Sequence, residues 1–452
     1  MTSVCLLLAL LAPWAAALLS TFQSESRAAR RIGLGGNVIG LSAAIGAALL
    51  GGGVDPAGAS APLLAALVPS QGWALPLPAF VHAIGLVAVG LTPAMGASPA
   101  TFARILLLTG LSVATVLTRA PLLLSVLLCA SVIPVWLELR ARPKTSGTAR
   151  LLSAYMLPSC SLLVAGVLFR ARGLELYALL ALAGGVAIRE AFVPFHTWYP
   201  RFVERAPMGI VVAFAAPQLG VYAHLRMLSG GLPQELASAL AAVGVVTVLF
   251  AAAMGAVQNR ARRALGYLMM SQTALVAFGL ETESLLGRTG ALCTWLVCGL
   301  SMAGLAMATE ALEARRGVLD LEHPNGSFRR TPMLATAYLL LGLSSVGLPG
   351  TFGFVAEDLL VQGSVETYPL LGLALIVGTA LNSVTVLRGF FGLFTGSRKH
   401  TGERDLTPRE RAVLTAILAA LVVTGLWPDV VLGKVGSSHG RGAEVHEQQT
   451  NG

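Results

Sequence analysis

The 452-residue chain is 55% hydrophobic and 12% charged, with a formal net charge of +9. Soluble globular domains carry about 25% charged residues, so this composition excludes a soluble enzyme. The basic residues are dispersed in small groups between apolar runs, which argues against a nucleic-acid-binding protein.

Apolar runs of spanning length recur along the whole chain and predict an all-α polytopic membrane protein with about fourteen transmembrane helices. A spanning helix needs about 20 apolar residues. The predicted spans lie near residues 3–20, 33–52, 73–95, 102–118, 121–138, 151–169, 174–193, 208–228, 233–257, 264–281, 289–311, 333–350 with a broken extension to 365, 367–395 and 410–432. Residues 62–69 form an apolar stretch too short to span, which we expect at the surface. No basic residue precedes Arg27, so the first run is expected to span rather than to act as a signal peptide.

The basic residues also predict an orientation. With the N-terminus outside, 22 of the 31 Lys and Arg residues fall in the loops that face the cytoplasm. Cytoplasmic loops of membrane proteins are enriched in Lys and Arg. We therefore expect both termini outside the cytoplasm, in a bacterial inner (plasma) membrane.

The cysteines give no sign of a metal or redox centre. All five lie in apolar segments, without a CxxC pair or a histidine at ligand spacing: Cys5, Cys129, Cys160, Cys293 and Cys298. The chain also lacks a motif for flavin, iron–sulfur or quinone chemistry. We expect no resident cofactor, no metal and no catalytic residue, so any electron transfer would belong to partner proteins.

Ionisable residues within the apolar runs are candidates for function, because each costs several kcal/mol in a bilayer unless it faces protein or water. They are His82, Arg189, Glu190, Glu310, Glu357, Asp358 and Arg388, with Glu138, His224 and Arg226 at helix ends. For Glu138, Arg226 and Glu310 the simplest interpretation is that the side chain extends to the membrane surface.

Two predicted helices are interrupted by Gly and Pro. Glu357 follows the segment LGLSSVGLPGTFGFV, and the eighth predicted helix contains AAPQLG at residues 215–220. Broken membrane helices occur where the freed backbone lines a cavity that handles ions. The pair favours a transporter built from two inverted repeats, with Glu357 as its best single site residue.

Several motifs between residues 102 and 432 resemble the antiporter-like membrane subunits of respiratory complex I and of multisubunit sodium/proton antiporters. PFHTWYP at residues 194–200 is similar to the family's PFHxWLP, and GLPGTFGFVAE at residues 347–357 is similar to GLPxxxGFxGE. Further similar segments are Glu204 with residues 206–207, residues 218–226, 258–267, 299–303, 405–410 and 425–428. The resemblance implies proton movement through a half-channel in each repeat, joined by a central axis of Lys, Glu and His.

When the family's polar residues are transferred to the matching positions of this sequence, several of those positions carry a different residue type. The resemblance therefore implies a divergent member of the family. The first-half glutamate falls on Cys129, the lysine of the broken seventh family helix on Gln218, the following lysine on Arg262, the Ser-His pair on Ser271 and Gln272, and the histidine before Gly-Leu on Cys298. Glu357 keeps its acid, and Arg189 replaces a lysine ahead of the segment that contains His196.

These departures predict a dismantled first-half relay. Gln does not titrate, and Arg does not release its proton at ordinary pH. The remaining candidates for a proton or ion path are Glu357, Arg262, Arg189 and His196.

The expected organisation is three N-terminal helices in residues 1–101, a first repeat in 102–228, a second in 229–396, a last loop and helix in 397–433 and a polar tail in 434–452. The resemblance implies a membrane-arm subunit of a complex I-like NADH-quinone oxidoreductase or a related ion-translocating complex. Alternatives are a partner subunit in another ion-coupled assembly, such as inorganic-carbon uptake, and a stand-alone cation/proton transporter. The expected partners are other membrane subunits and lipid, and not nucleic acid.

Overall fold

A computed structural model describes residues 2–50, 74–229, 232–282, 284–323, 326, 328–396 and 404–432. The apolar stretch at 62–69 and the tail at 434–452 lie outside these residues.

The described residues form eighteen α-helices and no β-strand. They are α1 (Thr2–Thr21), α2 (Ser26–Leu50), α3 (Leu77–Leu91), α4 (Pro99–Leu117), α5 (Pro121–Ala130), α6 (Val132–Arg140), α7 (Ser146–Ala171), α8 (Glu175–Arg189), α9 (Trp198–Arg205), α10 (Met208–Ala215), α11 (Leu219–Met227), α12 (Gln234–Val257), α13 (Ala261–Leu280), α14 (Leu285–Arg316), α15 (Pro332–Ser344), α16 (Phe352–Thr367), α17 (Pro369–Phe394) and α18 (Pro408–Leu426). Nine apolar helical stretches in this part of the chain are long enough to cross a membrane.

The prediction of a polytopic all-α membrane protein is confirmed, because each of the fourteen predicted spans contains at least one helix. The two expected interruptions are present, between α10 and α11 and between α15 and α16. Two further interruptions were not expected: α5 is separated from α6, and α8 ends earlier than predicted, before the short helix α9.

The two halves of the bundle repeat one order of elements. Five spans run from α4 to α11, and five run from α12 to α17. In each set the fourth span is interrupted, as α8 and α9 in the first and as α15 and α16 in the second, and the first set has further breaks at α5–α6 and α10–α11.

The interior of the bundle is formed by a few helices. The most apolar part of α14 is 89% buried and that of the α10–α11 span is 94% buried, against 28% for α1 and α7. The outer helices present leucine and valine side chains outward, as a lipid-facing surface requires. Side chains on α10, α11 and α14 therefore lie away from lipid, where polar groups can be kept.

Small residues allow α14 and α16 to pack closely. A Cβ added at Gly290 would lie against the backbone of Leu360, and one at Gly363 would lie against the backbone of Gly287. Glycine at such positions is common between membrane helices because it lets two backbones approach. This contact brings Glu357 on α16 towards the polar residues of α14.

Candidate functional site

Arg189 is the last residue of α8, and its side chain is buried inside the first half. Its guanidinium donates to the Leu128 carbonyl at 3.0 Å and to Ser131 Oγ at 2.7 Å, and it lies 5.1 Å from the centre of the Phe214 ring. The Trp198 indole donates to the Ile188 carbonyl at 3.1 Å and so satisfies a carbonyl freed at the helix end.

The interruption between α5 and α6 supplies the groups that Arg189 binds. Pro134 lacks the N–H that would bond to the Ala130 carbonyl, which favours a break at this point. Cys129, on the last turn of α5, is half-buried and lies close to the Cys160 thiol of α7. A thiol pair and a guanidinium therefore occupy the region where the resemblance implies an acid and an amine.

Gln218 lies at the break between α10 and α11, just after Pro217. The Pro217 carbonyl freed by this break accepts a hydrogen bond from the Trp295 indole of α14 at 3.0 Å. Gln218 is 7% exposed, and none of the described residues bonds to its Oε1 atom. It lines a small cavity of about 30 Å³ together with Arg189, Glu190 and Thr273. A cavity of that size holds about two waters.

The backbone around this cavity is strained. In the described residues, positive φ at a non-glycine position occurs at Ala191 (60°) and Gln218 (49°). Such a conformation costs of order 1–3 kcal/mol and persists only where the surrounding structure enforces it, which is typical of functional sites. Both residues adjoin the cavity, one beside Glu190 and the other in its wall.

A buried cluster of three titratable residues extends from this cavity. His224 on α11 lies between two carboxylates: its Nδ1 atom is 3.4 Å from Glu190 Oε2, and its Nε2 atom bonds to Glu281 Oε1. The three side chains are 1%, 0% and 4% exposed. The sequence indicated Glu190 and His224 only as isolated ionisable residues. It gave no reason to select Glu281, which follows α13 and resembles an ordinary helix-end acid.

The second half contains a separate polar cavity at its broken helix. Gln272, Cys298 and Glu357 line a space of about 20 Å³, with Thr379. The Cys298 thiol donates to Gln272 Oε1 at 3.1 Å, while the Gln272 amide nitrogen has no bonding partner among the described residues. Three positions predicted from separate motifs are thus brought together, with room for about one water.

Arg262 lies outside both cavities, at the start of α13. Its guanidinium bonds to Glu310 and Glu313 of α14 and donates to the Ala206 carbonyl at 2.7 Å. Glu310 is 19% exposed and lines the cleft at this end of the bundle, as expected of a side chain that extends to the surface, and it is paired there with Arg262. A cleft of about 680 Å³ opens here, lined by four basic residues that include Lys144 and by three glutamates.

Glu138 differs from its prediction. It is 1% exposed and binds Arg104 and Arg142, and the Thr101 hydroxyl donates to it at 2.9 Å. Its carboxylate is held in an ion-pair network rather than extended to the surface. Such a network satisfies a buried charge that would otherwise be costly.

Two other ionisable residues of the apolar runs, His82 and Arg388, form hydrogen bonds with backbone carbonyls or a side-chain amide. His82 lies 2.9 Å from the Ala9 carbonyl and 3.2 Å from Asn37 Oδ1. Arg388 donates to the Ala256 and Gln258 carbonyls at the end of α12. These contacts join helices, so neither residue belongs to the two cavities.

Comparison with known proteins gives the family. The family described as "NADH:quinone oxidoreductase/Mrp antiporter, TM" matches residues 157–382, which is half of the 452-residue chain. The chain belongs to this family. This confirms the resemblance found in the sequence motifs.

Curated relatives of this chain are named as chains or subunits of quinone oxidoreductases. NAD(P)H-quinone oxidoreductase chain 4 of Synechococcus sp. (strain CC9902) is 30% identical over 280 residues, covering 58% of this chain and 50% of the relative. NADH-quinone oxidoreductase subunit M of Rickettsia prowazekii (strain Madrid E) is 26% identical over 254 residues, covering 54% of this chain and 52% of the relative. The chain thus spans about half the length of the curated relatives it matches.

Solved structures share the fold along nearly the whole chain. A chain of respiratory complex I from Thermus thermophilus superposes with a TM-score of 0.85 at 21% identity, covering 97% of this chain and 98% of that one. A chain of the Mrp complex from Dietzia sp. DQ12-45-1b gives a TM-score of 0.84 at 16% identity, covering 97% and 96%.

At four positions the sequence is expected to differ from the family's residue type. Gln218 lines the first-half cavity, Gln272 and Cys298 line the second-half cavity, and Cys129 lies beside Arg189. His196 lies apart from these groups, in the segment between α8 and α9. Its ring packs edge-on against Phe250 at 4.7 Å, and its Nδ1 atom has no bonding partner in the described part of the chain.

Proposed function

We propose that the chain is a membrane-arm subunit of an NADH-quinone oxidoreductase-type complex and that it conducts protons across the bilayer. The names of the curated relatives support this assignment. The observation that carries it is Glu357, a carboxylate at a broken membrane helix that lines a polar cavity with Gln272 and Cys298. Lipid would penalise such a group, whereas a proton path requires one.

The two cavities adjoin the same turn of α13. Gln272 lines the second-half cavity, and the next residue, Thr273, lines the first-half cavity. Polar groups can therefore continue from Glu357 through the interior of the bundle towards Arg189. A line of polar side chains and waters is the usual medium for proton transfer inside a membrane protein.

We further propose that the family's ordinary first-half relay is dismantled in this chain. Cys129 and Gln218 replace an acid and an amine, and Gln272 replaces an imidazole. Arg189 holds a permanent charge and is fixed by two hydrogen bonds. Protons would then use other groups in the first half.

The expected partners are other membrane subunits, because the similar solved structures are chains of multisubunit complexes. We place the complex in the bacterial plasma membrane with both termini outside the cytoplasm, on the distribution of Lys and Arg.

The test is NADH-driven proton uptake by inverted membrane vesicles from a strain whose copy of the chain carries Glu357→Gln. Loss of the acid should lower the initial uptake rate at least about tenfold, since proton transfer through a positioned side chain contributes factors of this size or more. A pH-sensitive dye inside the vesicles measures the rate. Cys129→Ala should leave the rate unchanged if the ordinary relay is dismantled.

Asp358→Asn is the matched control, because Asp358 is the neighbouring acid, is exposed and bonds only to the Gln362 amide in the described structure, at 2.8 Å. It should pump at the unmodified rate. The proposal is wrong if vesicles lacking the chain still take up protons normally, or if Glu357→Gln has no effect. Slow pumping in Cys129→Ala would show that the ordinary relay is intact.

A further inference from the structure

Glu190 directly follows α8, His224 lies on α11 and Glu281 directly follows α13, and the three side chains meet inside the membrane. Their side chains are at most 4% exposed, so all three have been withdrawn from water. Removing charged groups from water costs several kcal/mol each, and apolar side chains of similar size would stabilise the bundle at least as well. Stability alone therefore does not account for this cluster, and we expect it to have another role.

The cluster is connected to the middle of the bundle. Glu190 Oε1 has no bonding partner among the described residues, and Glu190 lines the 30 Å³ cavity beside Gln218. Gln218 Oε1 is a second buried acceptor without a partner there. Water in this cavity would donate to both oxygens, and buried water is found where two to four polar groups converge.

The cluster also leads towards one membrane face. His224 lies six residues after Gln218 on α11, which is about 9 Å along a helix axis. Glu281 directly follows the last residue of α13. Arg170, at the far end of α7, donates to the Met227 carbonyl at 3.1 Å, so α11 ends at the face from which α8 begins.

We propose that Glu190, His224 and Glu281 form a proton relay from the first-half cavity to the membrane face at which α13 ends. A protonated Glu190 gives its proton to His224 Nδ1, and the proton on Nε2 passes to the Glu281 carboxylate. The negative charge moves from Glu281 to Glu190, and no other bond changes. Glu281 releases the proton at the face, and a proton that arrives through water in the cavity reprotonates Glu190. Rotation of the imidazole then turns its N–H towards Glu281 again and its free nitrogen towards Glu190.

Arg189 is the charged group beside this relay, since it adjoins Glu190 and lines the same cavity. Arginine stays charged at ordinary pH, so the cavity that feeds the relay has a permanently charged residue in its wall. The relay would thus supply the hopping groups that the departures at Cys129 and Gln218 remove. This inference rests on the proposed proton-conducting function.

The first experiment compares His224→Gln with His82→Gln in NADH-driven vesicles. Both histidines are fully buried, and His82 lies among the N-terminal helices, away from the relay. His224→Gln should lower proton uptake at least about tenfold, because the amide cannot shuttle a proton between two carboxylates. His82→Gln should pump within about twofold of the unmodified chain. Normal pumping by His224→Gln, with Glu357→Gln inactive, overturns the relay and leaves the proposed function standing.

The second experiment does not depend on pumping. Infrared difference spectra of the purified full-length chain, between acid and alkaline pH, should contain a carboxylic acid band from a buried site. That band should be lost or reduced in both Glu190→Gln and Glu281→Gln and unchanged in His82→Gln. Spectra that are the same in the two glutamine variants as in the unmodified chain mean that these carboxyls do not exchange protons, and the relay is then wrong even if the complex pumps.

Discussion

At the residue scale, Arg189 shows how a buried charge is kept in a membrane interior. Its partners are a carbonyl, a hydroxyl and an aromatic ring. The guanidinium is planar and donates along two directions at once, which an ammonium cannot reproduce. It ties the end of α8 to the interruption between α5 and α6, so its position depends on both breaks.

Arg189→Lys should therefore destabilise the protein by about 1–2 kcal/mol, because a lysine cannot satisfy the Leu128 carbonyl and the Ser131 hydroxyl together. Thermal unfolding of the purified protein in detergent measures the change. Arg201→Lys, at an exposed position of α9, should shift stability by less than about 0.5 kcal/mol. Equal unfolding temperatures for Arg189→Lys and the unmodified protein would mean that the two hydrogen bonds do not hold the break.

At the element scale, the break between α15 and α16 follows from local sequence. Gly347 and Gly350 have φ of +81° and +86°, a conformation that side chains resist, and Pro349 lies between them. Gly347 has a second role, because a Cβ there would collide with the Glu357 carboxylate. Gly350 has open space around it. Replacing Gly350 therefore tests backbone strain alone, whereas replacing Gly347 also tests the position of the Glu357 side chain.

Gly347→Ala and Gly350→Ala should each cost about 1–2 kcal/mol of stability, from the positive φ alone. Only Gly347→Ala should also slow NADH-driven proton uptake, because its methyl group would displace Glu357 from the cavity. Vesicle uptake and thermal unfolding, measured on the same preparations, separate the two effects. Equal pumping by both variants would indicate that the position of Glu357 is not critical.

The breaks show what local sequence can predict. Gly and Pro within an apolar run predicted the interruptions at α10–α11 and α15–α16 in advance. The early end of α8 was missed because Glu190, Ala191 and Phe192 carry no turn signal, and the positive φ of Ala191 is imposed by its surroundings. The contacts of His224 join segments 34 and 57 residues away in the chain. Only the packing of three helices reveals them.

At the scale of the whole molecule, the ends of many helices form one basic face. The 680 Å³ cleft collects Arg142, Lys144, Arg205 and Arg262 from loops and helix ends far apart in the sequence, together with Glu204, Glu310 and Glu313. The loop assignment made from composition grouped the same four basic residues on the cytoplasmic side. Their convergence at one end of the bundle is what the predicted orientation requires, because it places the loops and helix ends that carry these residues on one side of the membrane.

That orientation can be tested at the two ends of α7. Gly147 lies in its first turn beside the basic cleft, and Gly173 lies two residues after its last residue, with open space at both positions. The 26 residues of α7 extend about 39 Å, longer than the roughly 30 Å hydrocarbon core. A cysteine placed at either glycine would therefore lie in water, on opposite sides of the membrane.

A membrane-impermeant maleimide should label Gly173→Cys in intact cells and Gly147→Cys only in inverted vesicles. The five native cysteines are buried or half-buried where the structure describes them, so the unmodified chain gives the baseline. A reporter fused at Gly452 should give the same side as Gly173, because an even number of spans returns the chain to the side on which it started. Labelling of Gly147→Cys in intact cells would place the basic face outside the cytoplasm and reverse the direction in which the Glu190, His224 and Glu281 relay delivers protons.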